Sequence, residues 1–96
     1  MTMPVAYAAI KHGVIGFTKY LATYYGKYNI RAITVSPGGV FDNQSPAFVK
    51  KYCAKTPLAR MCLPQEIVGA VVYLASEAAS YVTGCNLMVD GGWTTW

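Results

Sequence analysis

The stretch from Ile30 to Ser36, IRAITVS, constrains this chain more than any other. It is rich in β-branched residues and nearly continuous in apolarity, and Pro37-Gly38-Gly39 stops it. A strand with one face in water alternates apolar and polar residues. A continuous run suits a strand buried on both faces, as in a parallel sheet. A second short run, Asn86 to Val89 (NLMV), is closed by Asp90-Gly91-Gly92 and reads as a final strand. Parallel neighbours need a crossover rather than a hairpin, and the sequence between the two runs reads as helical. The expected fold class is α/β.

Pro4 suits the opening of a helix, where its missing N–H would be unpaired anyway. From there Tyr7, Ile10, Val14, Phe17, Leu21 and Tyr24 recur at spacings of three and four, an apolar stripe on a helix of about five turns. Ala9, Gly13 and Gly16 form a second strip of very small side chains. Glycine weakens a helix by roughly 1 kcal/mol, so close packing is expected against that strip. Gly26 marks the expected end, with Lys27 near the negative helix terminus. A second helix is expected from about Pro46 to Lys55, burying Phe48, Val49, Tyr52 and Cys53. A third starts at Pro64 with Ile67, Ala70, Val71 and Leu74 as its stripe. Two parallel strands alone would expose an unpaired edge, so the chain reads as one flank of a larger sheet.

Charged residues make up 12% of the chain, about half the usual ~25%, which points to burial against further protein. No run approaches the ~18 apolar residues that span a bilayer. The N-terminus lacks a signal-peptide layout, so the cytoplasm is the expected compartment and no membrane is expected as partner. Cys53, Cys62 and Cys85 are odd in number and show no C-x-x-C spacing, which predicts neither a disulfide framework nor a metal site. Residues 1–60 hold all eight Lys and Arg against Asp42 alone, and residues 61–96 hold Glu66, Glu77 and Asp90 with no base. The basic part suits a phosphorylated small molecule. Its bases are dispersed and form no reading motif, so nucleic acid is not an expected partner.

Tyr7 and Lys11, in YAAIK, stand four apart and so share a helix face. An ammonium beside a phenol favours the phenolate and makes the hydroxyl a workable proton donor and acceptor. On spacing alone, a core tyrosine beside a solvated lysine is the simpler reading.

The conjunction of motifs is more specific. YAAIK resembles the Y-x-x-x-K of the short-chain dehydrogenase/reductase family on its long helix, and IRAITVSPGGV the strand and Pro-Gly turn that follow. PLARMCLPQEIVGAVVYLASEAASYVTG is similar to the family's P-l-x-R-x-x-x-P-x-E block, and NLMVDGGWTTW to its closing strand and D-G-G tail. These matches run in family order over essentially the whole chain.

The resemblance implies the C-terminal portion of a Rossmann-type, doubly wound parallel sheet. Residues 1–96 would form a single partial domain, and the glycine-rich, dinucleotide-phosphate-binding half would lie outside this chain. It implies an oxidoreductase using NAD or NADP on a small-molecule carbonyl or alcohol, inactive as this segment alone. Tyr7 would be the catalytic acid/base and Lys11 its catalytic partner, favouring the phenolate; both would contact the cofactor, Lys11 at the nicotinamide ribose. Pro37, Gly38 and Val40 would line the nicotinamide, with the Val40 backbone meeting its carboxamide. Ile33 stands where the family commonly has Asn, and Asp42 where it often has Thr, so no cofactor role passes to Asp42. His12 is expected at the surface or an interface.

KYLATYY, SPGGVFDNQ and VDGGWTTW look most similar to members from bacterial surface-sugar and flagellin-modification pathways, which act on sugars or nucleotide sugars. The family also implies a homo-oligomer built through the long helix and the C-terminal region, where Tyr20, Tyr24, Tyr25, Trp93 and Trp96 suit an interface. The alternative is a non-catalytic segment that serves only in assembly or interaction.

Overall fold

A computed structural model describes residues 4–95; Trp96, expected at an interface, lies outside them. The elements are α1 (Val5–Tyr25), β1 (Thr34–Pro37), α2 (Pro46–Ala54), α3 (Pro64–Ala75) and β2 (Asn86–Val89). Single 3-10 turns follow α1 at Gly26–Tyr28, α3 at Glu77–Ala79 and β2 at Trp93–Thr95. β1 and β2 are neighbours in a two-stranded sheet. Thr34 N–H donates to Cys85 and Gly38 N–H to Val89, so both strands advance together, the parallel register that the continuous apolar run demands. The fold class is α/β, a portion of a Rossmann-type sheet.

The chain divides into two compact units: residues 1–34 with 80–87, and residues 35–79 with 88–96. In the first unit, Pro4 is the N-cap of α1, and its carbonyl accepts from Ala8 N–H at 3.1 Å. Its inner face is made of small and medium side chains, with Ala22 buried and Ile15, Thr18 and Leu21 half-buried. The Thr34 hydroxyl donates to that of Thr18 at 2.7 Å and ties the helix to the start of β1.

Three expectations change here. The strand begins at Thr34 rather than Ile30, because Ala32 N–H donates to the Thr83 hydroxyl instead of a backbone carbonyl. α1 does end at Gly26, its C-cap, as expected; Gly26 keeps a right-handed backbone, and Asn29, at φ 61°, makes the left-handed stop with its N–H on the Gly26 carbonyl. Apart from Leu21, which turns inward, the apolar stripe stays open, with Tyr7 49%, Ile10 66%, Val14 47% and Phe17 62% exposed. Apart from the helix's own adjoining backbone and chain neighbours, nothing among the described residues lies within 4 Å of where a Cβ would stand on Gly13 or Gly16. The small inner side chains Thr18 and Ala22 face Thr34 and Gly84 of the same unit.

In the second unit, the Ser45 hydroxyl caps α2 by accepting from Phe48 N–H, and Pro46 takes the first helical position. Val49, Tyr52 and Cys53 are half-buried as expected, but Phe48 is 50% exposed and stacks on the Tyr52 ring. α3 starts at Pro64 and buries Leu74, with Ile67 and Ala70 half-buried, while Val71 remains exposed. Met61, Ala79 and Thr56 complete the buried set. The Thr56 hydroxyl is satisfied by the Tyr52 carbonyl at 3.0 Å. No described helix is long and apolar enough to cross a membrane.

Candidate active site

Two groups of predicted residues fall in the two units, Tyr7 and Lys11 in the first and Pro37, Gly38 and Val40 in the second. Tyr7 and Lys11 lie in the first two turns of α1, where the i,i+4 spacing brings them to one face. The Lys11 ammonium stands over the Tyr7 ring, 5.3 Å from its centroid. Tyr7 is half exposed, and neither its hydroxyl nor the ammonium is hydrogen-bonded to a described residue. His12, on the next position, turns its Nδ1 to the Ala8 carbonyl at 2.8 Å and plays no part in the pair.

The second group sits where β1 gives way to a loop. Gly38 N–H completes the ladder on the Val89 carbonyl. Beyond it, Val40 pairs with Cys62 in a short parallel bridge, with Cys62 N–H on the Gly39 carbonyl at 2.9 Å and Phe41 N–H on the Cys62 carbonyl at 2.8 Å. In such a bridge the groups of Val40 itself face away from Cys62. The Gln44 side-chain amide donates to the Val40 carbonyl at 3.0 Å, and its oxygen accepts from Asp42 N–H at 2.7 Å. Val40 N–H donates to nothing among the described residues.

Both glycines are there for closeness. A Cβ on Gly38 would stand 2.8 Å from Asp90 Cα, and one on Gly39 would stand 2.5 Å from Tyr52 Cζ. A cavity of about 480 Å³ in this unit is lined by Gly38, Gly39, Tyr52, Arg60, Glu66 and Asp90 among others.

The electrostatics of the second unit are set by two carboxylates. The Arg60 guanidinium, followed by Leu63 N–H, holds Glu66 down to about 2. The Thr94 hydroxyl holds Asp90 below its usual range. Burial pushes the Cys62 thiol up, away from the thiolate. All three cysteines are free thiols, and no described cluster of His, Cys, Asp or Glu could hold a metal ion.

A nicotinamide nucleotide presents a carboxamide and ribose hydroxyls, and each unit by itself holds donors of the kind such groups accept from. In the second unit Val40 N–H is an unused donor on a pinned loop; in the first, Lys11 and Tyr7 are an ammonium and a hydroxyl with no hydrogen-bonding partner among the described residues. Three residues escape the sequence reading: Gln44, Tyr52 and Cys62, all of which hold this loop. Tyr52 could be placed on the inner side of α2 by its spacing. Its hydroxyl partner, like the bonds of Gln44 and of the Cys62 backbone, carries no sequence signal.

The family model described as enoyl-(acyl carrier protein) reductase matches residues 1–94. The NADH-dependent L-xylulose reductase of Ambrosiozyma monospora is 42% identical over 100 residues, covering 96% of this chain and 37% of that protein. The D-arabinitol 2-dehydrogenase (ribulose-forming) of Scheffersomyces stipitis is 42% identical over 98 residues, covering 94% and 35%. Among solved structures, a short chain dehydrogenase from Leptospira borgpetersenii with bound NAD+ superposes with a TM-score of 0.89 at 52% identity, over 97% of this chain and 37% of that one. The chain thus spans a little over a third of the length of these relatives. The ordered motifs, the parallel sheet and the family match converge: the chain belongs to the short-chain dehydrogenase/reductase family.

Proposed function

We propose that this chain is the proton-transferring part of an NAD(P)-dependent oxidoreductase acting on a carbonyl or alcohol of a polyhydroxylated substrate, a sugar or nucleotide sugar. The observation that carries the reading is the Lys11 ammonium over the Tyr7 ring on α1, in a chain of this family. The substrate class draws on relatives whose names are L-xylulose reductase, D-arabinitol 2-dehydrogenase and sorbose reductase, and on a gluconate 5-dehydrogenase of similar structure. The narrower likeness to surface-sugar and flagellin-modification members lies within that class.

When bound, the nicotinamide supplies or takes up a hydride. The Tyr7 hydroxyl gives a proton to the carbonyl oxygen in reduction and takes it from the alcohol in oxidation. Lys11 places a positive charge beside the ring whose oxygen gains negative charge as the proton leaves, and would hold ribose hydroxyls of the bound nucleotide. Val40 N–H would meet the carboxamide, with Pro37 and Gly38 as the adjoining wall. The test is oxidation of NADH and NADPH by the native protein with a panel of ketoses. Tyr7→Phe should lower kcat at least about 100-fold and leave NADH binding intact. Turnover by this variant at the wild-type rate, or no turnover with any carbonyl, would refute the reading.

A second role, assembly of copies through α1 and the C-terminal region, is favoured by the open stripe on α1, where Ile10 and Phe17 are 66% and 62% exposed.

A further inference from the structure

We propose that Tyr52 is a positioning residue for the dinucleotide site, its hydroxyl and Trp93-clamped ring fixing the direction in which Val40 presents its N–H. The inference rests on the reading of Val40 as the carboxamide donor.

Val40 N–H shares a planar trans peptide with the Gly39 carbonyl, so the two point in opposite directions. Whatever holds the Gly39 carbonyl therefore aims the Val40 N–H. Cys62 N–H holds that carbonyl at 2.9 Å. One bond does not fix the peptide, because Gly39 is a glycine and its backbone angles are otherwise permissive. The second restraint is on the other side of the same residue, where Gly39 N–H donates to the Tyr52 hydroxyl. The two bonds bracket Gly39, and its close approach to the Tyr52 ring removes most remaining freedom.

The Tyr52 ring is itself held. It stacks on Trp93 with centroids 4.5 Å apart and planes 15° from parallel. Trp93 is presented by a turn built on Asp90, whose carbonyl accepts from Trp93 N–H at 3.1 Å. The Asp90 carboxylate accepts from Gly92 N–H at 3.0 Å and from the Thr94 hydroxyl at 2.7 Å. The closing D-G-G-W segment thus reaches Tyr52 through an aromatic stack, beside the close approach of Asp90 to Gly38.

The test compares two ligands on the native protein. NADH carries the carboxamide, and ADP-ribose lacks the nicotinamide altogether. Tyr52→Phe keeps the ring and removes the acceptor. It should weaken NADH binding about fivefold, the loss of one hydrogen bond's worth, and leave ADP-ribose binding unchanged. Trp93→Ala should show the same split and Trp93→Phe should restore it. Equal losses for both ligands would make Tyr52 merely structural, and unchanged NADH binding would remove its role; either overturns the inference alone. Wild-type protein that binds neither NADH nor NADPH overturns the proposed function and this inference with it.

Discussion

Arg60 closes both terminal nitrogens on the two carboxylate oxygens of Glu66, at 2.7 and 2.8 Å. The same carboxylate accepts from Leu63 N–H at 2.9 Å. Leu63 stands at the N-cap of α3 without a hydroxyl to offer, so Glu66 satisfies that end of the helix from its third position. Its negative charge also suits the positive end of the helix dipole. The P-l-x-R-x-x-x-P-x-E pattern is thereby a helix-start device, in which Arg60 orients the residue that caps.

Acid should undo this device. The folded-state value of Glu66 lies at about 2, below the ordinary ~4.3 of the unfolded chain. Its contribution is therefore complete above about 4.3 and is lost as pH falls through about 2. Asp90, also lowered, adds to the same trend. Thermal melts between pH 5 and pH 2 should show a falling Tm, with a shallower slope in Glu66→Gln. Equal slopes in both proteins would remove Glu66 from the account.

Gly39→Ala should be destabilising by about 1–3 kcal/mol, the usual range for overpacking. The added methyl would meet Tyr52 Cζ at 2.5 Å, and Trp93 blocks the ring from swinging away. Combined with Tyr52→Leu, the substitution should lose less than the two single effects added, since the obstacle is gone. Urea unfolding of the four proteins measures this; strict additivity would mean the clash relaxes elsewhere.

Much of the fold was legible because its signals are local. Pro46, Pro64 and the NLMV run mark element bounds that the structure keeps, and the Tyr7–Lys11 pair follows from helical periodicity alone. What was not legible depends on partners distant in sequence. The strand's late start turns on the Thr83 hydroxyl, 51 residues from Ala32. The Gly39 bracket needs Tyr52 and Cys62 together. The apolar pattern of α1 predicted a stripe, yet periodicity does not say which face the strands will cover. Here the small side chains at Thr18 and Ala22 took that place.

Leu74 is the inward residue of α3, 8% exposed and the largest aliphatic side chain buried in the second unit apart from Met61. Leu74→Ala should destabilise by about 2 kcal/mol, the lower end of the range for such truncations, because the surrounding core is small. Val71→Ala, one turn earlier and 49% exposed, should cost a small fraction of that. Comparable losses at the two positions would mean that Val71 is covered by protein in the native assembly.

The last expectation concerns the open stripe of α1. Ile10 and Phe17 present 66% and 62% of their surface, and together with Val14 they form a continuous apolar face on one helix. Contiguous apolar surface of this kind marks interaction sites. A second copy applying the same stripe across a two-fold axis would make the contact self-complementary. A lysine at either position would then bring like charges together at the symmetry axis while leaving the inner face of α1 untouched. Light scattering of the native protein should give a mass of at least two chains, and the Ile10→Lys/Phe17→Lys double variant a mass of one. Helical content should stay unchanged by circular dichroism. A wild-type monomer, or a variant that keeps the wild-type mass, would rule out assembly through this face.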